Sequence, residues 1–236
     1  ANFPASYTTV TLGATSTVNY NRAGDQAISG QTYGHLATSG GSGTKTLDGA
    51  ITIAGDLTIG VGTTLDTSAS NFGVTLNGNF TKSGTFTANG SAITIGGTAT
   101  QTINGLTTTG TISMTKTAGT ATFNGVVTGG GLTLNGSGGT LNLGISLAHQ
   151  INGNVTLTAG TLNGGSSTLN LTGNLSGAAT FTAGTGTVTY NGSGAQAVAA
   201  QTYNNLTIDK SAGTATLGGA IIVSGNLTIT AGTLAT

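Results

Sequence analysis

The residues able to do acid–base or ligand chemistry are few: Asp25, Asp48, Asp56, Asp66 and Asp209, the histidines His35 and His149, and no cysteine or glutamate. The interval from Asp25 to Asp48 is close to the length of one coil in a short-repeat array. If one turn of a coiled architecture has that length, they stack as a carboxylate pair of the kind that β-helical polysaccharide-cleaving enzymes use for acid–base work. Such a site needs a cation or histidine nearby, and His35 and Lys45 are the local candidates. The positions aligned with these four in a second copy of the repeat described below are Ala195, Gly218, Asn205 and Ala215. Nothing reinforces the site, so solvated turn residues are the simpler reading. His35 and His149 have no histidine or cysteine companion at metal-ligand spacing. The Gly-rich stretch 136–139 has no aspartate for a calcium-binding roll and no lysine-bearing helix for a phosphate loop. No cofactor, no metal and no enzymatic activity are expected.

Two further patterns carry possible surface chemistry. Thr-x-Thr triplets occur at Thr85/Thr87, Thr156/Thr158, Thr180/Thr182 and Thr228/Thr230. A flat ladder of such triplets would suit ice binding, but equivalent strands carry Gly60 and Asn135, so a continuous ladder is not expected. Asn-x-Ser/Thr sequons stand at Asn79, Asn89, Asn135, Asn154, Asn170, Asn174, Asn191, Asn205 and Asn226. In a chain rich in Asn, Ser and Thr, chance produces many of these. Phe86, Phe123, Phe181, Tyr20, Tyr33, Tyr190 and Tyr203 recur at repeat-equivalent places, which favours stacked core or turn positions over a carbohydrate platform.

These residues must be positioned by an unusual polypeptide. Charged residues make up 4% of the 236, against about 25% in an ordinary soluble domain. Arg22, Lys45, Lys82, Lys116 and Lys210 are scattered singly, so the basic stripe of a nucleic-acid binder is missing. Thr, Asn or Gly interrupts every apolar run, and no membrane-spanning helix is legible.

The local period is two, as in Leu57-Thr58-Ile59, Ile93-Thr94-Ile95 and Leu132-Thr133-Leu134, with Gly or Asn-Gly at the gaps. That pattern makes short strands with one apolar and one polar face, joined by tight turns. Self-comparison aligns 18–63 with 188–233 at an offset of 170, and 72–103 with 167–198 at an offset of 95. A shorter Gly-Asn-apolar-Thr/Ser motif recurs at Gly78, Gly153, Gly173 and Gly225, and the step from Gly153 to Gly173 is the size of a single coil. Residues 1–236 are therefore expected to form one all-β array. The expected architecture is a β-solenoid, or parallel β-helix, of roughly ten to eleven coils of about 20–23 residues, on the order of 50 Å long. A β-sandwich is the alternative, and the absence of a Greek-key pattern argues against it.

Neither terminal stretch carries a charged or helical cap, and an uncapped strand edge accepts another strand. The tail Thr233-Leu234-Ala235-Thr236 and the head Ala1-Asn2-Phe3 together resemble the interior Thr64-Leu65-Asp66-Thr67 and Asn71-Phe72. The expected assembly interface is Ala1, Asn2, Phe3, Pro4, Tyr7 and Val10 at one end, and Leu227, Ile229, Leu234 and Thr236 at the other. The partner is then a second copy stacked head to tail, or neighbouring repeats of a longer chain.

Segments such as Gly173-Asn174-Leu175, 179–188 and Tyr203-Asn204-Asn205-Leu206-Thr207-Ile208 resemble the repeats of large secreted bacterial surface proteins and filamentous-haemagglutinin-like adhesins. The resemblance implies a secreted, cell-surface β-solenoid acting as a fibre or an adhesin stalk, with a glycan as the alternative partner. It carries no catalytic residue.

Overall fold

The computed structural model describes residues 10–236. Among these residues there are 29 strands and no helix. Every strand pairing is parallel, and the strands stack as a β-solenoid of about 11 turns. A sandwich built from antiparallel hairpins is thereby excluded.

Each coil contributes three strands, one to each face. The first face begins with Thr17–Tyr20, His35–Thr38, Leu57–Ile59, Phe80–Lys82, Gln101–Ile103 and Thr120–Phe123. The second begins with Gln26–Ile28, Thr44–Leu47, Thr64–Asp66 and Thr85–Thr87, and continues from Leu106–Thr107 through Val127–Gly129, Ala148–Ile151, Thr168–Leu171 and Thr187–Tyr190. The third runs through Thr32–Tyr33, Ile51–Ile53, Val74–Leu76, Ile93–Ile95, Thr111–Met114, 131–134, 155–157 and Leu175–Gly177. Coil length is less uniform than the sequence suggests. The coil that runs from Thr17 to its stacked partner His35 is shorter than the one from Leu57 to Phe80, because the corners absorb insertions while the strands hold register.

The alternation of each strand places its apolar residues inward, where identical positions stack coil on coil. Ile53, Leu76, Ile95, Met114, Leu134 and Leu157 form one such column, with no member more than 1% exposed. A β-branched or leucine side chain between two others of similar size fills the narrow interior without voids. The corners need backbone shapes that L-residues resist. Gly144, Gly165 and Gly184 turn three successive coils at φ of +83°, +59° and +64°. A Cβ on Gly165 or Gly184 would strike the carbonyl oxygen of the glycine one coil below.

The long sequence repeats are not whole numbers of coils. Val18 lies on the first face and its counterpart Val188 on the second; Phe80 lies on the first and its counterpart Leu175 on the third. Repeat-equivalent segments share local structure while facing different directions.

Candidate functional site

Asp25 and Asp48, whose spacing would have allowed a stacked carboxylate pair, do not meet. Gln26 pairs with Lys45 and Ile28 with Leu47, so Asp25 is level with Thr44 and Asp48 with Ser29, at opposite ends of one strand pair. The local coil is shorter than the interval from Asp25 to Asp48, and the mismatch separates the two by about 13 Å along the strand. Each carboxylate instead accepts a backbone N–H: Asp25 Oδ1 from Thr44 at 2.8 Å and Asp48 Oδ1 from Gly30 at 3.0 Å. Lys45 turns inward. His35 joins Asp56, accepting its N–H at 2.8 Å through Nδ1 with the carboxylate 3.7 Å away. Asp56 in turn accepts the backbone and side-chain N–H groups of Asn79 at 2.8 and 2.9 Å.

That last contact belongs to corner ladders in which a side-chain oxygen accepts a backbone N–H of the next coil. Asn79 accepts from Thr102 at 3.0 Å, Asn154 from Asn174 at 2.9 Å, Asn174 from Ala197 at 2.8 Å and Asn205 from Asn226 at 3.0 Å. Four of the sequon asparagines are thus structural acceptors at corners.

Three of the five cations are inside the rod: Lys45, Lys116 and Lys210 are at most 2% exposed. The Lys116 ammonium donates to Gly96 O at 3.1 Å, Gly97 O at 3.4 Å, Ala99 O at 2.7 Å and Gln101 Oε1 at 2.6 Å. Lys210 repeats the arrangement with Gly192 O, Gly194 O and Gln196 Oε1, each at 2.7 Å. The two glutamines pass the link on. Gln101 Nε2 donates to Gly78 O at 2.8 Å and Gln196 Nε2 to Gly173 O at 2.6 Å. Lys45 is held by Arg22 O at 2.8 Å and Gly24 O at 2.5 Å. Burial pulls all three ammonium groups below the ordinary lysine range, while the converging oxygens favour the charged form. Only Arg22 and Lys82 remain as surface cations, and Arg22 is tied to Asp25 O at 2.7 Å.

The aromatic residues split between the core and its margin. Tyr20, Tyr33, Tyr190, Tyr203 and Phe123 are at most 4% exposed, whereas Phe86 and Phe181 are partly buried against the core. The tyrosines form two repeat-related hydroxyl pairs, Tyr20–Tyr33 at 3.3 Å and Tyr190–Tyr203 at 3.2 Å. Burial raises the pKa of Tyr33, Tyr190 and Tyr203 above the usual phenol range.

No protein-family model, curated protein sequence or solved structure matches the chain.

His149 is buried against Phe123, accepting the Val127 N–H at 3.1 Å through Nδ1, with Nε2 2.7 Å from Leu143 O. Those contacts fit a neutral ring protonated at Nε2. Burial lowers its pKa, opposed by the Leu143 hydrogen bond. The unfolded chain therefore takes up a proton first as pH falls through about 6.5, and stability that is complete above that value is lost below it. Denaturant unfolding should show stability falling between about pH 8 and about pH 5, and His149→Gln, which can accept and donate without titrating, should remove that fall. An identical pH dependence in the variant would show that His149 is not the group responsible. Among the described residues no cluster of three His, Cys, Asp or Glu could hold a metal, and no helix is long and apolar enough to cross a membrane.

The outer faces carry a feature that the sequence reading missed. On the third face Thr32, Thr52, Thr75, Thr94, Ser113, Thr133, Thr156 and Ser176 occupy the same outward position on eight successive coils. The triplets singled out from sequence scatter instead: Thr85/Thr87 on the second face, Thr156/Thr158 on the third and Thr180/Thr182 on the first. Gly60 lies just beyond a first-face strand, and Asn135 lies two places to the side of the third-face column. Neither lies in the column itself, although Asn135 falls in the rank two places on, where a Thr-x-Thr ladder is broken as expected.

Of the expected assembly residues, Ala1, Asn2, Phe3, Pro4 and Tyr7 lie outside the described residues, and Val10 is half-buried. Leu227 and Ile229 pair with Leu206 and Ile208. The latter two are fully buried, while Leu227 and Ile229 are 49% and 52% exposed. Leu234 pairs with Ala215 and is half-buried, and Thr236 is exposed.

Proposed function

We propose that this chain is a non-enzymatic structural rod of the cell exterior, extended by stacking coil upon coil. The supporting observation is the pair of columns ending at Leu227 and Ile229, whose inward-type side chains stand open above a buried pair of the same kind. Strand Leu227–Ala235 contains no charge that would oppose a further parallel strand. A second copy stacked head to tail supplies that strand, or neighbouring repeats of a longer chain do so. The extracellular assignment rests on the likeness of the repeats to those of secreted surface proteins.

Electron microscopy of the purified chain is expected to show filaments whose length is insensitive to salt, since apolar burial and backbone pairing are poorly screened. Leu227→Lys combined with Ile229→Lys should reduce them to single short rods. Short rods from the unaltered chain would remove head-to-tail assembly between copies.

A stalk or binding segment of an adhesin is the second reading. It is favoured by a recess of about 580 Å³ at the corner between the first and second faces, where Lys82, Phe86, Asn104, Asn124 and the exposed Val126 meet. Hits on a glycan array that Lys82→Met abolishes would support it.

A further inference from the structure

The third-face column presents hydroxyls with nothing among the described residues to bind. Among the described residues none of the eight Thr and Ser side chains has a hydrogen-bond partner, whereas on the first face Thr58 and Thr81 bond to each other at 3.3 Å. The column spans about 34 Å at a strand spacing of about 4.8 Å. Its rungs are stiff: six of the eight are β-branched threonines with restricted χ1, and the inward Ile, Leu and Val neighbours on either side are buried. The residues two places to either side of every rung are Gly, Ala, Thr or Asn. The face is therefore low, uncharged and periodic.

Beside Thr32, Thr52, Thr75 and Thr94 the small residues Gly30, Ala50, Gly73 and Ala92 leave a shallow recess of about 430 Å³. Water in this recess meets hydroxyls and methyl groups at fixed intervals, with no charge to hold it in a competing arrangement. The strand spacing is within several per cent of the oxygen repeat along the a axis of hexagonal ice.

A ligand that reads an array of this kind must share its period. We propose that the third face binds ice, ordering a layer of water through the ladder from Thr32 to Ser176. An extended neutral polysaccharide is the rival occupant, but its recognition ordinarily uses aromatic platforms, and no aromatic side chain stands on or two places from any rung.

The test uses the whole chain in a frozen sucrose solution, following ice-crystal growth by microscopy and partition of the protein into a slowly grown ice hemisphere. The unaltered chain should slow recrystallisation and enter the ice. Thr94→Tyr, which lifts a ring above the middle of the face, should raise the concentration needed by at least about tenfold, while Thr128→Tyr on the second face should leave it unchanged. Thermal unfolding of each variant verifies that its solenoid is intact. A folded chain without effect on ice, equal losses in the two variants, or retention on crystalline cellulose without ice activity would each overturn the proposal.

Discussion

Lys116→Met is expected to destabilise the solenoid by about 2–4 kcal/mol while leaving its secondary structure intact. Methionine fills nearly the same space, so the loss comes from the oxygens left behind. Four acceptors surround the ammonium, belonging to Gly96, Gly97, Ala99 and Gln101. Each unsatisfied buried acceptor costs about 1–3 kcal/mol, offset in part because the charge need no longer be desolvated. The damage should travel, because Gln101 also ties Gly78 of the coil below. Lys210→Met should behave alike through Gln196. Denaturant unfolding measures both, and a change below about 0.5 kcal/mol in both variants would mean that the oxygens find other donors.

Phe80→Ala should cost about 3–5 kcal/mol. Phe80 is fully buried in the column between Leu57 and Ile103 and meets Phe86 edge-on at 5.3 Å. The corners and registers on either side prevent collapse around the cavity. Each coil contacts only its neighbours, so stability in such an array is nearly a sum of local terms. Hydrogen exchange should accordingly rise in peptides covering 57–103 and change little in peptides covering 187–229. A uniform rise along the chain would show that the rod unfolds as one cooperative unit.

The short strands were legible because alternation such as Ile93-Thr94-Ile95 states which side faces inward, and the parallel stack followed from a repeat step, Gly153 to Gly173, of the size of a single coil. The face that each strand occupies was not legible. The sequence repeats in strands, whereas the structure stacks in coils of unequal length, short from Thr17 to His35 and longer from Leu57 to Phe80. The long repeats therefore turn equivalent segments onto different faces. Hence Asp25 and Asp48 do not stack although the interval between them is close to one coil, and the third-face ladder went unseen. The interior lysines were hidden for another reason: an isolated Lys in a polar repeat reads as a solvated surface group. The signal was a glutamine followed 15 or 14 residues later by a lysine, Gln101 to Lys116 and Gln196 to Lys210, across Gly-rich turns.

Withdrawal of three lysines into the rod has a consequence for its survival among proteases. An endoprotease that cuts after basic residues must seat the basic side chain in its own pocket, and the folded chain offers it Arg22 and Lys82 alone. Digestion at Lys45, Lys116 or Lys210 has to wait for a coil to open, so the same ammonium groups that clamp neighbouring coils also leave such proteases little to grip.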